Sequence, residues 1–392
     1  MRIRSFTAHV VRLPFKHSFR HASATRHESD NVIVRCELAN GMIGWGEGVP
    51  RSYVTGETPD GCLTQLAATP LADQLAADCA SWPDVIHLCD QFKPALARDD
   101  LRGCYGNALR CAVELSILDA FGRTFGEPVS ALVRHFAPAQ PVFAPASTVQ
   151  YGVVIDSGSR KLRRKSLVRR IYGFRDCKVK VGAASDDDVA RLRIVRRWVG
   201  HDMDLRLDAN EAWHADDLLA KVEPLLPFGI SSLEQPVPHG EVSRLAELRK
   251  MLAVPVMLDE SLTGMVDAQA AIANGTCDLF NIRLSKCGGF LNSLRLAATT
   301  HAAGLGYQLG CHPGESGILS AAGRHWASSV ANIRYLEGSY DRHQFARLLT
   351  NEDMTFGYAG RAAAIHRPGL GITVNEAVLR EQTLSRQEFP VT

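Results

Sequence analysis

Apolar and polar positions change rhythm twice along this chain. Over residues 1–50 they follow a strand pattern: Ile3 to Leu13, Asn31 to Leu38 and Met42 to Gly48 are rich in Val, Ile and aromatics, and Asn40-Gly41 marks a hairpin. Three strands are predicted. The polar stretch at 17–30 (His17, Arg20, His21, Arg26, His27) reads as a loop, either plainly solvated or serving as a substrate-facing lid, and 51–58 (including Tyr53 and Thr55) as another loop of mixed chemistry. From Asp60 to about Arg134 the apolar spacing becomes three and four, which predicts helices over Cys62–Cys79, Trp82–Ala97 and Asn107–Phe125, with Gly126 as a C-cap. Residues 1–137 are thus expected to form an α+β domain, followed by a linker at Ala137-Pro138-Ala139-Gln140-Pro141.

Beyond residue 142 short apolar runs alternate with amphipathic helices. The runs are Tyr151–Ile155, Cys177–Val181, Asp204–Leu207, Ile230–Leu233, Val254–Leu258, Leu279–Leu284, Gly306–Leu309 and Ile333–Leu336. Eight such units are what a closed βα barrel requires. The predicted fold class is α/β: a (β/α)8-type TIM barrel over 142–360 with an N-terminal α+β capping domain. The turn at Arg367-Pro368-Gly369 starts a return of residues 361–392 towards that domain.

Composition narrows the function. A chain of 392 residues with net charge +2 has room for two cores and lacks the basic excess of a nucleic-acid binder. The basic run from Arg160 to Arg170 therefore reads as the solvated face of an outer helix. Ten cysteines without a C-x-x-C pair point to buried thiols in a cytoplasmic protein, and no run is long enough to span a membrane.

The chemistry sits at strand ends. Lys178 and Lys180 are two apart, so on a strand they share a face, where mutual repulsion is expected to lower at least one pKa. Asp208, Glu234, Asp259 and Lys286 follow at spacings of 26, 25 and 27 residues, one strand–helix unit each. Three carboxylates at converging strand ends suit a hard cation, Mg²⁺ or Mn²⁺. Asn210 shares the Asp208 face if that strand continues and is a candidate to orient a ligand. Strands two and six lie opposite each other in an eight-stranded barrel, so Lys180 and Lys286 are expected to flank a small-molecule carboxylate substrate. A metal between two lysines suits removal of a proton from the carbon beside a carboxylate.

The segments Lys178-Val-Lys180-Val-Gly, Asp208-Ala-Asn210-Glu-Ala-Trp213, Leu233-Glu234-Gln235-Pro236, Asp259-Glu260-Ser261 and Asn281-Ile-Arg-Leu-Ser-Lys286-Cys-Gly-Gly289 resemble the enolase superfamily, muconate-lactonizing-enzyme subgroup, which also includes mandelate-racemase-like enzymes and dipeptide epimerases. Gly44-Trp-Gly-Glu47, Thr55-Gly-Glu-Thr58 and Pro368-Gly-Leu-Gly371 resemble its capping domain and C-terminal return. The resemblance implies Mg²⁺ on Asp208, Glu234 and Asp259, Lys180 as base on one face, Lys286 as base or acid on the other, and Lys178 polarising the substrate carboxylate. Tyr53 and Thr55 would belong to the lid. Glu260 would stand beside the metal, and Glu337 beside the substrate carboxylate. His312 would touch substrate or cap its own loop.

Dipeptide epimerases of the subgroup usually carry Asp-x-Asp at the last strand end, where this chain has Leu336-Glu337-Gly338-Ser339. The leading expectation is therefore a muconate-cycloisomerase-like isomerase working through an enediolate, in a homo-oligomer. An amino-acid or dipeptide racemase or epimerase is the alternative, and a dehydratase or syn-elimination lyase a further one. A barrel retained only for binding would be expected to have lost a lysine or a carboxylate, and none is missing.

Overall fold

Residues 1–20, 25–96, 100–155, 161–183 and 187–391 are described in the computed structural model of the chain. In chain order the strands are β1 (Ile3–Arg20), β2 (Thr25–Leu38), β3 (Ile43–Gly48), β4 (Thr148–Gln150), β5 (Val153–Ile155), β6 (Asp176–Lys180), β7 (Asp204–Asp208), β8 (Ile230–Glu234), β9 (Val256–Leu258), β10 (Leu279–Ile282), β11 (Gly306–Leu309), β12 (Ile333–Leu336), β13 (Arg361–Ala363) and β14 (Thr383–Pro390). Strands β5 to β12 form one parallel sheet in sequence order, and a backbone hydrogen bond from Gly152 N to Leu336 O (2.7 Å) joins its two edges. Seven helices connect these strands: α5 (Leu162–Ile171), α6 (Asp188–Val199), α7 (Leu218–Val222), α8 (Leu245–Met251), α9 (Met265–Asn274), α10 (Phe290–Ala302) and α11 (Gly317–Ala327). This is the α/β barrel fold expected of the chain.

The capping part is an antiparallel sheet in the order β14-β1-β2-β3, with helices α1 (Pro59–Ala68), α2 (Leu71–Leu75), α3 (Trp82–Gln91) and α4 (Asn107–Phe125). Two of the predicted helices are shorter than their apolar spacing suggests. Thr69 precedes Pro70 and is extended, which splits the 62–79 helix into α1 and α2; Pro94 follows closely on the end of α3 at Gln91. The linker at 137–141 is itself a short 3-10 turn.

The polar stretch at 17–30 is a correction to the loop expectation. β1 continues to Arg20 and β2 begins at Thr25, with Phe19 opposite Arg26; residues 21–24, and His21 with them, lie outside the described residues. The hairpin leans on the barrel where Phe15 bridges to Phe345, their rings 5.8 Å apart.

Strand β3 is buried on both faces. Gly44, Gly46 and Gly48 lie on one face, where an added Cβ would come within 2.0–2.2 Å of the α4 backbone at Ala120, Ala112 and Ala108. Strand and helix backbones therefore touch directly. From the same strand the buried carboxylate of Glu47 crosses to the barrel, accepting from Ser316 N (3.0 Å), Ser316 Oγ (2.7 Å) and Leu319 N (3.0 Å) at the start of α11. Glu114 of α4 does the same for α10, accepting from Phe290 N (2.5 Å) and Leu291 N (3.1 Å). Gly289, at φ +108°, leaves the room Glu114 occupies: its Cβ would lie 2.5 Å from Glu114 Oε1. The cap thus satisfies the free N–H groups of two barrel helices at the mouth of the barrel.

Burial outweighs these hydrogen bonds and pushes Glu47 and Glu114 up to about 7. An unfolded glutamate titrates near ~4.3. The folded protein therefore holds protons that the unfolded chain has lost between roughly pH 4.5 and 7, and their contribution to stability is lost as pH rises through that window. In Glu47→Gln or Glu114→Gln, the fall in Tm between pH 5 and pH 8 should be smaller than in the parent, as read by differential scanning calorimetry at the two pH values.

Candidate metal and proton-transfer site

Inward-facing positions on β6 and β7 carry charge instead of hydrocarbon. Their register sets Asp176 beside Asp204, Lys178 beside Arg206 and Lys180 beside Asp208, and on the next pair Asp208 beside Glu234. All of these except Asp176, Asp204 and Lys180 are buried. Such charges persist in a barrel interior only where each finds an opposite partner.

Lys178 is held by Glu337 Oε2 at 2.9 Å and Glu234 Oε2 at 3.2 Å, with Asp208 Oδ2 at 3.4 Å. Burial disfavours its charge, but these carboxylates outweigh burial and hold its pKa above the ordinary lysine value. Lys178 is thus not the lowered lysine expected from two neighbouring ammonium groups. The carboxylates, invisible in the local pattern, reverse the sign.

Lys180 reaches Asp208 Oδ2 at 2.6 Å and Asn210 Oδ1 at 2.5 Å. For Asp208 burial opposes ionisation, yet Lys180 and Lys178 outweigh it and hold the carboxyl well below its usual range. Asn210 lies beyond the end of β7, not on a continued strand, and takes a left-handed backbone at φ +44°. That turn swings its amide back over the site, where Nδ2 donates to Glu260 Oε1 at 3.2 Å.

On the opposite side, Lys286 donates to Asp259 Oδ1 (2.7 Å), Asp259 O (2.5 Å) and Asn281 O (3.0 Å), and Arg283 caps Asp259 Oδ2. Burial pulls the Lys286 ammonium down to about 7. Burial likewise raises Glu260 to about 7, with nearby Asp208 adding to the effect.

Asp208, Glu234 and Asp259 are buried oxygen donors at three successive strand ends, matched among the described residues by cationic or amide side chains and, at Asp208, by the Asn210 backbone N–H. That donor chemistry fits a hard divalent cation. Among the described residues no three of His, Cys, Asp and Glu enclose an ion as they stand, because each carboxylate is drawn to a lysine or arginine instead.

A cavity of about 500 Å³ opens above this cluster. Lys178, Lys180, Asn210, Glu260, Arg283 and Glu337 line its floor, and His17 and Tyr53 of the cap reach its rim. Its outer wall is aromatic: Phe174, Tyr340 and Phe356, with Tyr340 and Phe356 ring centroids 5.6 Å apart. Val168 and Arg169 of α5 reach the same rim, so the basic helix is not solely a solvated face.

Thr55, expected in the lid, and His312, expected either to touch substrate or to cap its loop, do not line this cavity. Thr55 is buried in the cap, its hydroxyl turned to Arg51 O at 3.5 Å. His312 is buried between the cavity-lining Cys311 and Pro313; its backbone N–H donates to Glu315 Oε1 at 2.6 Å. Burial drives the His312 imidazole well below its ordinary pKa, so it is neutral, and neither ring nitrogen has a hydrogen-bond partner among the described residues.

Arg206 was missed by reading the sequence. It is buried and binds Glu337 Oε1 (2.9 Å), Asp176 Oδ1 (2.7 Å) and Gln308 Oε1 (2.9 Å). The signal was available: Asp204, Arg206 and Asp208 fall on one strand face.

Residues 162–378 match the enolase C-terminal domain-like family. The chain belongs to the enolase superfamily and is an isomerase of that superfamily. It is 28% identical to the N-succinyl-L-Arg/Lys racemase of Bacillus cereus over 98% of each chain, and 30% identical to a hydrophobic dipeptide epimerase of Citrifermentans bemidjiense over 86% of this chain and 88% of the relative. Among solved structures, the B. cereus racemase superposes with a TM-score of 0.85 at 26% identity, covering 99% of this chain and 100% of the other. A dipeptide epimerase of Enterococcus faecalis, crystallised with Mg and L-Leu-L-Tyr, gives 0.81 at 25% identity over 95% and 100%. No helix among the described residues is long and apolar enough to cross a membrane.

Removing Arg206 would leave the half-buried Asp176 and one oxygen of the buried Glu337 without their cation. Arg206→Met should lower the unfolding free energy by about 3–5 kcal/mol, measured by urea denaturation.

Proposed function

We propose that the protein is a Mg²⁺-dependent racemase or epimerase that inverts the α-carbon of an amino-acid-derived carboxylate, a dipeptide or an N-acyl amino acid. The observation that carries this reading is the pair of lysines on opposite sides of one carboxylate cluster: Lys180 on Asp208 and Lys286 on Asp259. A cycloisomerase needs only one such lysine for proton transfer. The relatives above, named as racemases and epimerases, also favour inversion over the cycloisomerase expectation.

Asp208, Glu234 and Asp259 would hold Mg²⁺, whose positive charge would offset the negative charge that develops on the substrate carboxylate as the α-proton leaves. The substrate lies in the cavity with its α-carbon between the two lysines. One lysine, neutral, takes the α-proton; the C–H electron pair moves into the carboxylate to give an enediolate. The other lysine, protonated, returns a proton to the opposite face, and the configuration is inverted. A lysine titrating near 7 suits a base at neutral pH, as burial makes Lys286. Lys178, kept protonated by its carboxylates, stays a fixed positive charge beside the substrate carboxylate. Ten unpaired thiols, nine of them buried, support a cytoplasmic setting.

The test is a panel of dipeptides and N-succinyl amino acids, each as both α-epimers, incubated with enzyme and Mg²⁺ in D2O. Deuterium should enter the α-position with inversion, by NMR and polarimetry, and chelation should abolish it. Conversion of an unsaturated diacid to a lactone without inversion of any panel member would restore the cycloisomerase reading.

Lys180→Ala and Lys286→Ala should each abolish inversion while leaving the Tm transition cooperative. Asp208→Asn should weaken Mg²⁺ binding, measured by isothermal titration.

A further inference from the structure

The two candidate bases are held in place by different means. Lys180 is the last residue of β6, and the ladder with β7 sets it opposite Asp208. Lys286 lies four residues beyond the end of β10, in a turn that no strand partner holds. Its ammonium is held within the barrel by Asp259 and Asn281, and its backbone is reached from the cap.

Asn107, the first residue of α4, is buried, and its Nδ2 donates to two backbone carbonyls, Thr263 O at 2.7 Å and Lys286 O at 2.8 Å. Carbonyls only accept, so both contacts require the amide nitrogen, and the orientation of the side chain is fixed by chemistry. The first carbonyl belongs to the loop that follows Asp259; the second is that of Lys286 itself. One amide thus ties the carboxylate loop to the lysine turn. Gly288, at φ +81°, brings the turn this close: a Cβ there would lie 2.7 Å from Asn107 Oδ1.

Two neighbouring contacts reinforce the tie. Arg102 spans Asp267 (2.7 Å) and Glu260 O (3.0 Å), and Val49 N donates to Ser285 Oγ at 2.7 Å. On the Lys180 side, Val181 N donates to Asp208 O at 2.9 Å, a contact within the barrel.

We infer that Asn107 is a positioning residue for Lys286: through its two hydrogen bonds the capping domain helps to set the backbone that carries the base on one face of the substrate, while the barrel alone sets the base on the other. This rests on the two-lysine racemase reading. It has a consequence that a general loss of stability lacks. Exchange of the α-proton needs only the lysine facing it, whereas inversion needs both. Loosening Lys286 should slow exchange from one epimer and inversion from either, and spare exchange from the epimer whose proton faces Lys180.

The experiment measures α-deuteration and inversion separately for both epimers of each panel member in D2O with Mg²⁺, for the parent, Asn107→Ala, Asn107→Asp and Lys286→Ala. Asp keeps the shape of Asn but offers the carbonyls no N–H. Lys286→Ala identifies the spared epimer. Both Asn107 variants should reproduce its pattern in weaker form, with inversion down about 100-fold, the scale expected of a misplaced reacting group, and with KM for the spared epimer unchanged. Hydrogen exchange by mass spectrometry supplies a readout that needs no substrate: amides of residues 284–290 should exchange faster in Asn107→Ala and those of 176–182 should not. Equal slowing of both epimers, full inversion by Asn107→Asp, or parallel opening of both segments would overturn the inference. Absence of α-exchange by the parent enzyme would sink the racemase reading instead, and the amide-exchange result would still decide whether Asn107 holds the turn.

Discussion

A carboxylate taken out of water needs a matching positive charge, and the interior of this barrel is organised by that need. Asp208, Glu234, Asp259 and Glu337 are all buried, and each has a lysine or arginine within reach. Coulombic attraction at these distances is large in a poorly solvated interior, but so is the desolvation cost, and neither group is tolerable there alone. The same balance gives the cluster its chemistry. The lysines are thereby fixed in direction, each aimed at a carboxylate of the cluster. Glu337 illustrates the economy of the arrangement: its two oxygens neutralise Lys178 and Arg206, which neighbour each other across the β6–β7 register and would otherwise repel.

The second organising principle is the use of the cap's acids on the barrel's helices. A helix that starts at the open end of a barrel presents free N–H groups just where substrate enters. Glu47 and Glu114 occupy those groups at α11 and α10. Glu57 does the same within the cap, accepting from Ala108 N at the start of α4. The cap is thereby joined to the barrel by polar contacts that depend on direction, not by apolar area alone, and small errors in its placement propagate to the loops it touches.

The barrel was legible because eight apolar runs recur with the strand–helix period and because strand-end acids and lysines are rare enough to stand out. Asp208, Glu234 and Asp259 gather at neighbouring strand ends, and Lys180 and Lys286 join them from either side, as the spacings implied. What the pattern hid was the sign of the field at Lys178, which depends on Glu337, remote in sequence and adjacent in space. It also hid the extended hairpin, whose polar residues carry no apolar alternation. Arg206 went unread because a lone arginine between two leucines looks like a solvated break in a strand. Thr55 was misplaced for a related reason: loop sequences specify chemistry but not direction, and its hydroxyl turns inward to the cap.

The pairing of β14 with β1 has a bearing on how the molecule comes to exist. Val10 lies opposite Ser385 and Phe6 opposite Phe389, so the capping sheet is built from segments separated by the entire barrel. During synthesis β1 leaves the ribosome first and waits, with an unpaired edge, until every barrel strand has been made. Loop closure over such a span is slow and leaves that edge exposed meanwhile. The barrel has the local connectivity to form ahead of it, whereas the last strand of the capping sheet arrives after it. Closure of the capping sheet would then be a late event in folding, made only when segments from either side of the barrel meet.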